Sequence, residues 1–188
     1  CRMQLQGIQG TLEELPEVAE ELEAVTEKLG KVITDGEHLS FDLSSPLLAE
    51  LGLIPAIERE VEHLLSEKGV EWTLHDDSVR KPLGVDVRRI VFRTVRELLL
   101  NVANHAGASE VEVSVTRAGD RMVVAVSDDG CGFDAETLLK DGPRRGASGL
   151  FRIQEWISQV GGEAEIESEP GKGCSVTLKV PLAGQGTS

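Results

Sequence analysis

The pattern of apolar and polar positions is clearest in residues 85–106, where it predicts one long helix that ends before Gly107. Five apolar residues share one stripe of this helix: Val91, Val95, Leu98, Val102 and Ala106. At roughly 100° per residue, four polar residues fall in the adjoining arc: Glu97, Asn101, Asn104 and His105. A surface helix normally keeps its polar face opposite its apolar face. Polar side chains beside the core therefore favour a pocket wall, while for this helix alone an ordinary surface face fits as well.

Alternation with a period of two predicts the strands that follow this helix. Residues 109–117 alternate between valine and polar residues, as expected of a half-buried strand. Residues 121–128 are apolar on both faces, which places this strand in the middle of its sheet. Asp128 shares a face with Val124 and Val126, so its carboxylate is predicted to point toward the covered side of the sheet.

Shorter elements complete the predicted fold. A strand near residues 70–74, a helix over 149–160 and a hairpin of strands with its turn at 169–173 are indicated. Strand hairpins with covering helices predict an α+β fold, a two-layer sandwich in which helices cover one face of a mixed, mostly antiparallel sheet. Residues 129–148 show little periodicity, which is typical of a lid or of disorder.

The N-terminal region has a different pattern. Six apolar residues recur at alternating spacings of three and four: Leu15, Val18, Leu22, Val25, Leu29 and Val32. Such spacing is typical of a coiled-coil seam, so we expect a helical hairpin here, and a packed helical subdomain without a role in dimerisation fits equally well. Ser45 as N-cap and Pro46 at the first helical position mark a boundary. The expected division is a hairpin over 1–44, a main domain over 45–183 and a tail over 184–188.

Composition narrows the possible functions. The 188 residues include 19 Lys and Arg against 33 Asp and Glu, a net charge of −14, which disfavours direct binding to nucleic acid or anionic membranes. The cysteines, Cys1, Cys131 and Cys174, lack the paired spacing of a zinc site, and reduced thiols in a cytoplasmic protein are favoured. No apolar run approaches the roughly 18 residues of a membrane span. Because the chain begins with Cys, we expect a piece of a longer protein, whose membrane attachment stays open.

Two common phosphate-binding motifs do not match. A Walker loop requires G-x-x-x-x-G-K-[ST], but Gly171-Lys172-Gly173 is followed by Cys174. The glycines at 130 and 132 only partly match the dinucleotide fingerprint, and repeated βαβ units are missing from the pattern. What remains is an ordered set of four segments: Glu97 with Asn101 on a helix, Asp128-x-Gly130-x-Gly132 after a central strand, Gly146-Ala147-Ser148-Gly149-Leu150 at a helix start, and Gly171-Lys172-Gly173 in a hairpin.

This ordered set resembles the asparagine box and the glycine boxes of the Bergerat ATP-binding fold. Residues 97–106, 128–133 and 149–162 look like those of bacterial sensor histidine kinases, and residues 42–53 are similar to the nitrate-sensor-like class. The resemblance implies a catalytic domain that binds ATP and transfers its γ-phosphate to a histidine, from which the phosphate passes to a response regulator with a DNA-binding output domain. It also implies a homodimer, formed in the parent protein through the N-terminal helices.

The resemblance implies specific roles for the site residues, with ATP and Mg²⁺ as cofactors. Asp128 accepts a hydrogen bond from the exocyclic amine of adenine, Asn101 presents its oxygen to Mg²⁺, and Glu97 is the catalytic residue, acting as base or orienting a metal-bound water. The remaining ATP-binding positions are Asn104, His105, Gly130, Gly132, Gly146, Gly149 and Leu150, the last two through backbone amides at a helix N-terminus.

Several positions depart from the family pattern. The acceptor histidine of the hairpin is missing, so this chain alone is not expected to autophosphorylate. Asn104 stands in place of a basic residue, Arg152 in place of a small residue and Cys174 in place of a threonine. Two other functions stay open: a nucleotide-binding interaction module without phosphotransfer, and a serine kinase of the anti-sigma type with the same ATP fold.

Overall fold

The computed structural model describes residues 46–66, 68–135 and 148–183. The chain divides into two compact units, Cys1–Pro46 and Leu47–Ser188. All helices and strands described below belong to the second unit, except that the first helix begins at Pro46, the last residue of the first unit. The predicted N-terminal hairpin, most of the predicted lid including Gly146, and the C-terminal tail lie outside the described residues.

Five strands within these residues form one sheet: β1 (Glu71–Asp76), β2 (Glu110–Ala118), β3 (Arg121–Asp128), β4 (Glu163–Ser168) and β5 (Cys174–Pro181). Their order across the sheet is β1-β2-β3-β5-β4. The β1–β2 pair is parallel, and the other three pairs are antiparallel. Strand β3, predicted from its two apolar faces to be central, does occupy the middle position.

Four α-helices lie in the described part of the chain: α1 (Pro46–Glu50), α2 (Leu53–Ser66), α3 (Val85–Asn101) and α4 (Ser148–Gln159). Gly52 separates α1 from α2 with φ of 89°, a left-handed conformation that glycine adopts without steric cost. Pro55 lies in the first turn of α2, where a backbone N–H would have no carbonyl partner within the helix. None of these helices has both the length and the apolar character needed to cross a membrane.

Helix α3 does not continue as an α-helix to residue 106, as the sequence predicts, but passes into one turn of π-helix, Val102–Ala106. Gly107 ends this turn in the left-handed conformation, with φ of 60°. The carbonyl of Ala106 accepts a hydrogen bond from the N–H of Cys131 at 2.8 Å. The π-helical turn therefore joins the end of the helix to the loop that follows β3.

The core lies between the helices and one face of the sheet. Alternate residues of β2, β3 and β5 are buried there: Val111, Val113, Val115, Met122, Val124, Val126, Val176, Leu178 and Val180. The helices contribute the facing side chains, among them Ile57, Val61, Leu65, Val91, Val95, Leu99, Ile153 and Ile157. Helix α3 lies over β3, between α2 near β1 and α4 near β4. The predicted two-layer α+β sandwich with a mixed, mostly antiparallel sheet is confirmed.

Candidate functional site

A cavity of about 490 Å³ opens between the helices and the sheet, within the size range of small-molecule sites. Its helix side consists of residues from α3 and the π-helical turn: Glu97, Leu98, Asn101, Val102, His105 and Ala106. Its sheet side consists of Val126, Asp128, Cys174 and Val176. The described wall is completed by the loop after β3 (Cys131, Gly132, Phe133) and the start of α4 (Gly149, Leu150, Arg152).

Asp128 supplies the carboxylate on the sheet side of the cavity. It lies at the end of β3, and its Oδ1 accepts the backbone N–H of Gly130 at 2.9 Å. Burial raises the pKa of Asp128, and the charge of Asp129 adds to this, whereas backbone hydrogen bonds from Gly130 and Cys174 act in the opposite direction. Asp128 is thus a partly desolvated acceptor that lines the cavity, suited to a ligand N–H donor.

Asp129 uses its carboxylate to bind the backbone at the start of β2. Its carboxylate accepts the backbone N–H groups of Ser109 at 2.7 Å and Glu110 at 2.9 Å, and the hydroxyl of Ser109 also donates to it. These hydrogen bonds, led by that of the Ser109 hydroxyl, lower the pKa of Asp129. The loop after β3 is thereby attached to the start of β2, which holds Asp128 in place.

Gly130 allows the helix end and the loop to meet. A Cβ atom at this position would lie 2.5 Å from the carbonyl oxygen of Ala106 and 2.8 Å from Oδ1 of Asp128. The distance to the backbone oxygen of Ala106 leaves no room for a side chain at Gly130. Gly130 is buried behind Asp128 and does not itself line the described cavity wall, so its effect on the site is exerted through backbone packing.

The turn of the β4–β5 hairpin closes on the same loop by backbone contacts. Gly132 has φ of 55°, and a Cβ there would lie 2.1 Å from the carbonyl oxygen of Glu169. Gly173 has φ of 76°, and a Cβ there would lie 1.9 Å from the carbonyl oxygen of Asp128. The sequence predicts this hairpin and its glycines, and the structure shows that residues 169–173 support the Asp128 end of the cavity.

Glu97 and Asn101 lie one turn apart on α3 and face the beginning of α4. A Cβ on Gly149 would lie 3.2 Å from Oε1 of Glu97 and 3.7 Å from Nδ2 of Asn101. The absence of a side chain at Gly149 therefore brings the α4 N-terminus close to both polar groups. Backbone N–H groups at a helix N-terminus attract anions.

Arg152 forms an ion pair with Glu97 within the cavity wall, with Nη2 2.9 Å from Oε1. Its guanidinium lies 5.9 Å from the centroid of the Trp156 ring, and that of Arg93 lies over the same ring at 3.7 Å. The sequence marks Arg152 only as a departure from the family pattern. Its position three residues after Gly149 on a helix, which places both on one face, is the signal that could have assigned it to the site.

Most of the predicted site residues come together around this cavity. Those that line it are Glu97, Asn101, His105, Asp128, Gly132, Gly149 and Leu150. Asn104 is exposed and does not contribute to the described wall, because the π-helical turn has a longer repeat than the 100° step on which the prediction relied. Gly146 lies outside the described residues. The other lining residues were not among the predicted site residues: Leu98, Val102, Ala106, Val126, Cys131, Phe133, Arg152, Cys174 and Val176.

Comparison with protein families identifies the class. Residues 86–184 match the family described as histidine kinase-, DNA gyrase B-, and HSP90-like ATPase. This match covers more than half of the 188 residues, and the chain therefore belongs to that ATPase family. The Bergerat-type fold and ATP-binding capacity predicted from the ordered glycine and asparagine segments are confirmed.

Two curated relatives of the chain are named as sensor histidine kinases. The chain is 37% identical over 147 residues to an uncharacterised sensor-like histidine kinase of Chloroflexus aurantiacus, covering 76% of this chain and 24% of that protein. It is 29% identical over 154 residues to the oxygen sensor histidine kinase NreB of Staphylococcus carnosus, covering 82% of this chain and 43% of NreB. The chain thus spans less than half the length of either relative.

Solved structures show the same fold. The histidine kinase AdeS of Acinetobacter baumannii aligns with a TM-score of 0.58 at 20% identity, covering 85% of this chain and 84% of AdeS. The histidine kinase domain of a blue-light activated histidine kinase from Erythrobacter litoralis aligns with a TM-score of 0.55 at 22% identity, covering 67% of this chain and 59% of that domain.

Proposed function

We propose that the chain is the catalytic part of a sensor histidine kinase, which transfers the γ-phosphate of Mg-ATP to a histidine and from there to an aspartate of a response regulator with a DNA-binding output domain. The observation that supports this most directly is the single cavity shared by Asp128, Glu97, Asn101 and the N-terminus of α4. It combines a hydrogen-bond acceptor on the sheet side with an amide, a carboxylate and a helix N-terminus on the helix side, groups suited to a metal ion and to phosphate.

Asp128 is proposed to accept a hydrogen bond from the exocyclic amine of adenine. Val126 and Val176 line the cavity beside this carboxylate, and they offer the purine ring an apolar surface. Guanine presents a carbonyl oxygen where adenine has its amine, and that oxygen would face the carboxylate. The site should therefore prefer adenine nucleotides to guanine nucleotides.

The phosphates are proposed to lie between α3 and the N-terminus of α4. Backbone amides of Gly149 and Leu150 bind phosphate oxygens, as helix N-termini commonly do. Asn101 presents its amide oxygen to Mg²⁺, an ion that usually binds through one or two protein oxygens together with substrate phosphates.

Glu97 is proposed to act on the attacking group, either as base toward the imidazole of the acceptor histidine or through a metal-bound water. Phosphoryl transfer depends mainly on positioning and electrostatic stabilisation. The carboxylate and Asn101 are one helical turn apart, so Glu97 lies beside the proposed metal and phosphates. The acceptor histidine is proposed to belong to a helical domain of the parent protein, which dimerises through its N-terminal helices.

The test is transfer of radiolabelled phosphate from Mg-ATP to a separately added helical domain that bears an acceptor histidine. Acid-labile, alkali-stable label on that domain is the expected result. Glu97→Gln should reduce the rate by about 10²- to 10⁴-fold. Glu60→Gln is a matched control, because Glu60 forms a comparable ion pair with Arg96 between α2 and α3, away from the cavity.

Two outcomes would contradict the proposal and favour its alternatives. Binding of Mg-ATP without any transfer would favour a nucleotide-binding interaction module. Acid-stable, alkali-labile label would indicate phosphoserine and favour the anti-sigma-type serine kinase.

A further inference from the structure

The ion pair between Glu97 and Arg152 lies where the proposed function requires phosphate to bind. Two features that attract anions converge on the Glu97 carboxylate. The guanidinium of Arg152 is 2.9 Å from Oε1, and the start of α4 at Gly149 is close enough that a Cβ there would lie 3.2 Å from the same oxygen. A carboxylate thus occupies a position equipped to bind an anion.

The charge balance of the cavity gives Arg152 particular importance. Among the described lining residues, the carboxylates are those of Glu97 and Asp128, and Arg152 is the single lysine or arginine. Asn104, at the position where the family pattern has a basic residue, is exposed and away from the described wall. A nucleotide triphosphate entering this acidic site needs a protein cation, and a guanidinium binds phosphate oxygens with two parallel hydrogen bonds.

The packing around Arg152 is compatible with a change of partner. Its side chain is 32% exposed and that of Glu97 is 21% exposed, so neither is locked in the core. The guanidinium lies 5.9 Å from the Trp156 ring centroid, a contact that keeps the group near the cavity without fixing it to one acceptor.

Given the proposed function, we propose that Arg152 exchanges partners when nucleotide binds: its guanidinium leaves Glu97 and binds a terminal phosphate oxygen. The exchange neutralises phosphate charge and at the same time releases the Glu97 carboxylate to act on the acceptor histidine. Arg152 is therefore both a phosphate-binding residue and a control on the availability of Glu97. No covalent bond is made or broken in this step.

The test is isothermal titration of adenosine, Mg-ADP and Mg-ATP into the 188-residue protein, its Arg152→Gln variant and an Arg96→Gln control. Arg96 has the same type of partner, Glu60, at 2.7 Å and a similar exposure of 35%, but it lies outside the described cavity wall. Arg152→Gln should weaken Mg-ATP binding about tenfold while leaving adenosine binding unchanged. Arg96→Gln should change neither.

Glu97→Gln provides the second arm, because it removes the anion that competes for Arg152. It should strengthen Mg-ATP binding several-fold in the otherwise wild-type protein and have no such effect in the Arg152→Gln background, a coupling that a purely structural role for Arg152 would not produce.

Two results would overturn the inference alone. These are an unchanged affinity of Arg152→Gln for Mg-ATP, and an equal loss of affinity for adenosine and Mg-ATP. Failure of the wild-type protein to bind any adenine nucleotide would instead contradict the proposed function, and the inference with it.

Discussion

Asp128 and Cys174 are paired across the antiparallel strands β3 and β5, so a carboxylate and a thiol meet at the sheet side of the cavity. Burial, together with the charge of Asp128, raises the pKa of the Cys174 thiol to about 11. Burial likewise raises the pKa of Asp128. Asp128 and Cys174 are both partly buried, so this end of the cavity is less exposed to solvent than the protein surface.

Asp128→Asn separates the function of this carboxylate from its effect on stability. Loss of a charged hydrogen-bond acceptor should weaken Mg-ATP binding by about 10- to 100-fold in isothermal titration. The raised pKa of Asp128 means that folding favours its protonated form. The resulting contribution to folding stability is present below the pKa of the unfolded state, and it is lost as pH rises through the pKa of the folded state. At pH 7 the neutral variant should therefore melt at the same temperature as the wild type or higher.

The matched control for this variant is Asp120→Asn, in the exposed β2–β3 turn away from the cavity. It should leave nucleotide binding unchanged. A melting temperature of Asp128→Asn well below that of the wild type would show that the charged carboxylate stabilises the fold, contrary to the sign derived from its pKa.

The two described cysteines should differ in reactivity. With a pKa of about 11, the Cys174 thiol is ionised in only about one molecule in a thousand at pH 8, and the thiolate is the reactive form. Cys131 is exposed and lines the cavity. Iodoacetamide should therefore modify Cys131 first, and Mg-ATP should slow that reaction. Peptide mass mapping measures the modification of each cysteine separately. Equal rates of modification at Cys131 and Cys174, or no protection of Cys131 by nucleotide, would contradict this expectation.

Gly171 and Gly173, in the turn between β4 and β5, allow the effect of backbone strain to be separated from the effect of close packing against Asp128. Gly171 and Gly173 have φ of 78° and 76°, but a Cβ at Gly171 has open space, whereas one at Gly173 would lie 1.9 Å from the Asp128 carbonyl oxygen. Gly171→Ala should lower the free energy of unfolding by about 1 kcal/mol, from backbone strain alone. Gly173→Ala should cost about 3 kcal/mol or more, because backbone must move.

Denaturant unfolding of both variants, with nucleotide titration of any that remain folded, checks this prediction. Equal losses for the two substitutions would mean that the hairpin turn yields easily and does not support the Asp128 end of the cavity.

Acid sensitivity should depend on Asp77, in the turn after β1. Its carboxylate accepts the backbone N–H groups of Val79 at 3.0 Å and Arg117 at 2.7 Å, and it forms an ion pair with Lys81. The hydrogen bond from Lys81 is the largest cause that lowers the pKa of Asp77 to about 2. A lowered pKa contributes stability that is present above the unfolded value of 3.8 and is lost as pH falls toward 2.

Asp77→Asn should therefore lower the melting temperature at pH 7 and flatten its decline between pH 4 and 2, the window set by these pKa values. Thermal melts across this range measure both effects. Parallel declines in variant and wild type would show that other carboxylates govern the acid sensitivity.

Much of the fold follows from local pattern. The central position of β3 follows from its apolar residues on both faces. The face occupied by Asp128 follows from side-chain alternation, which a strand imposes on any sequence. Helix α3 follows from its apolar stripe, and the glycines at 130 and 132 predict the loop that follows β3. These features gather the proposed adenine and metal residues at one cavity once the helix packs on the sheet.

Features that depend on partners distant in sequence could not be predicted. Arg152 and Glu97 are 55 residues apart, and no periodicity specifies that they meet. The close approach of Gly173 to Asp128 likewise depends on how the β4–β5 hairpin closes against the loop after β3. The exposure of Asn104 reflects a π-helical turn that is joined to that loop, where tertiary contacts override the α-helical repeat.

The sequence by itself determined the class of fold and placed Glu97 and Asn101 on one helix and Asp128 at the end of a strand, because hydrophobic periodicity acts over a few residues. The ATP-binding role of the ordered glycine and asparagine segments came from their resemblance to a known family. Only the tertiary structure decided that Glu97 is ion-paired to Arg152, that Cys174 lies against Asp128, and that Asn104 turns away. Those relationships arise from the packing of α3, α4 and the hairpin around a common cavity, and the electrostatics of the site depend on that arrangement.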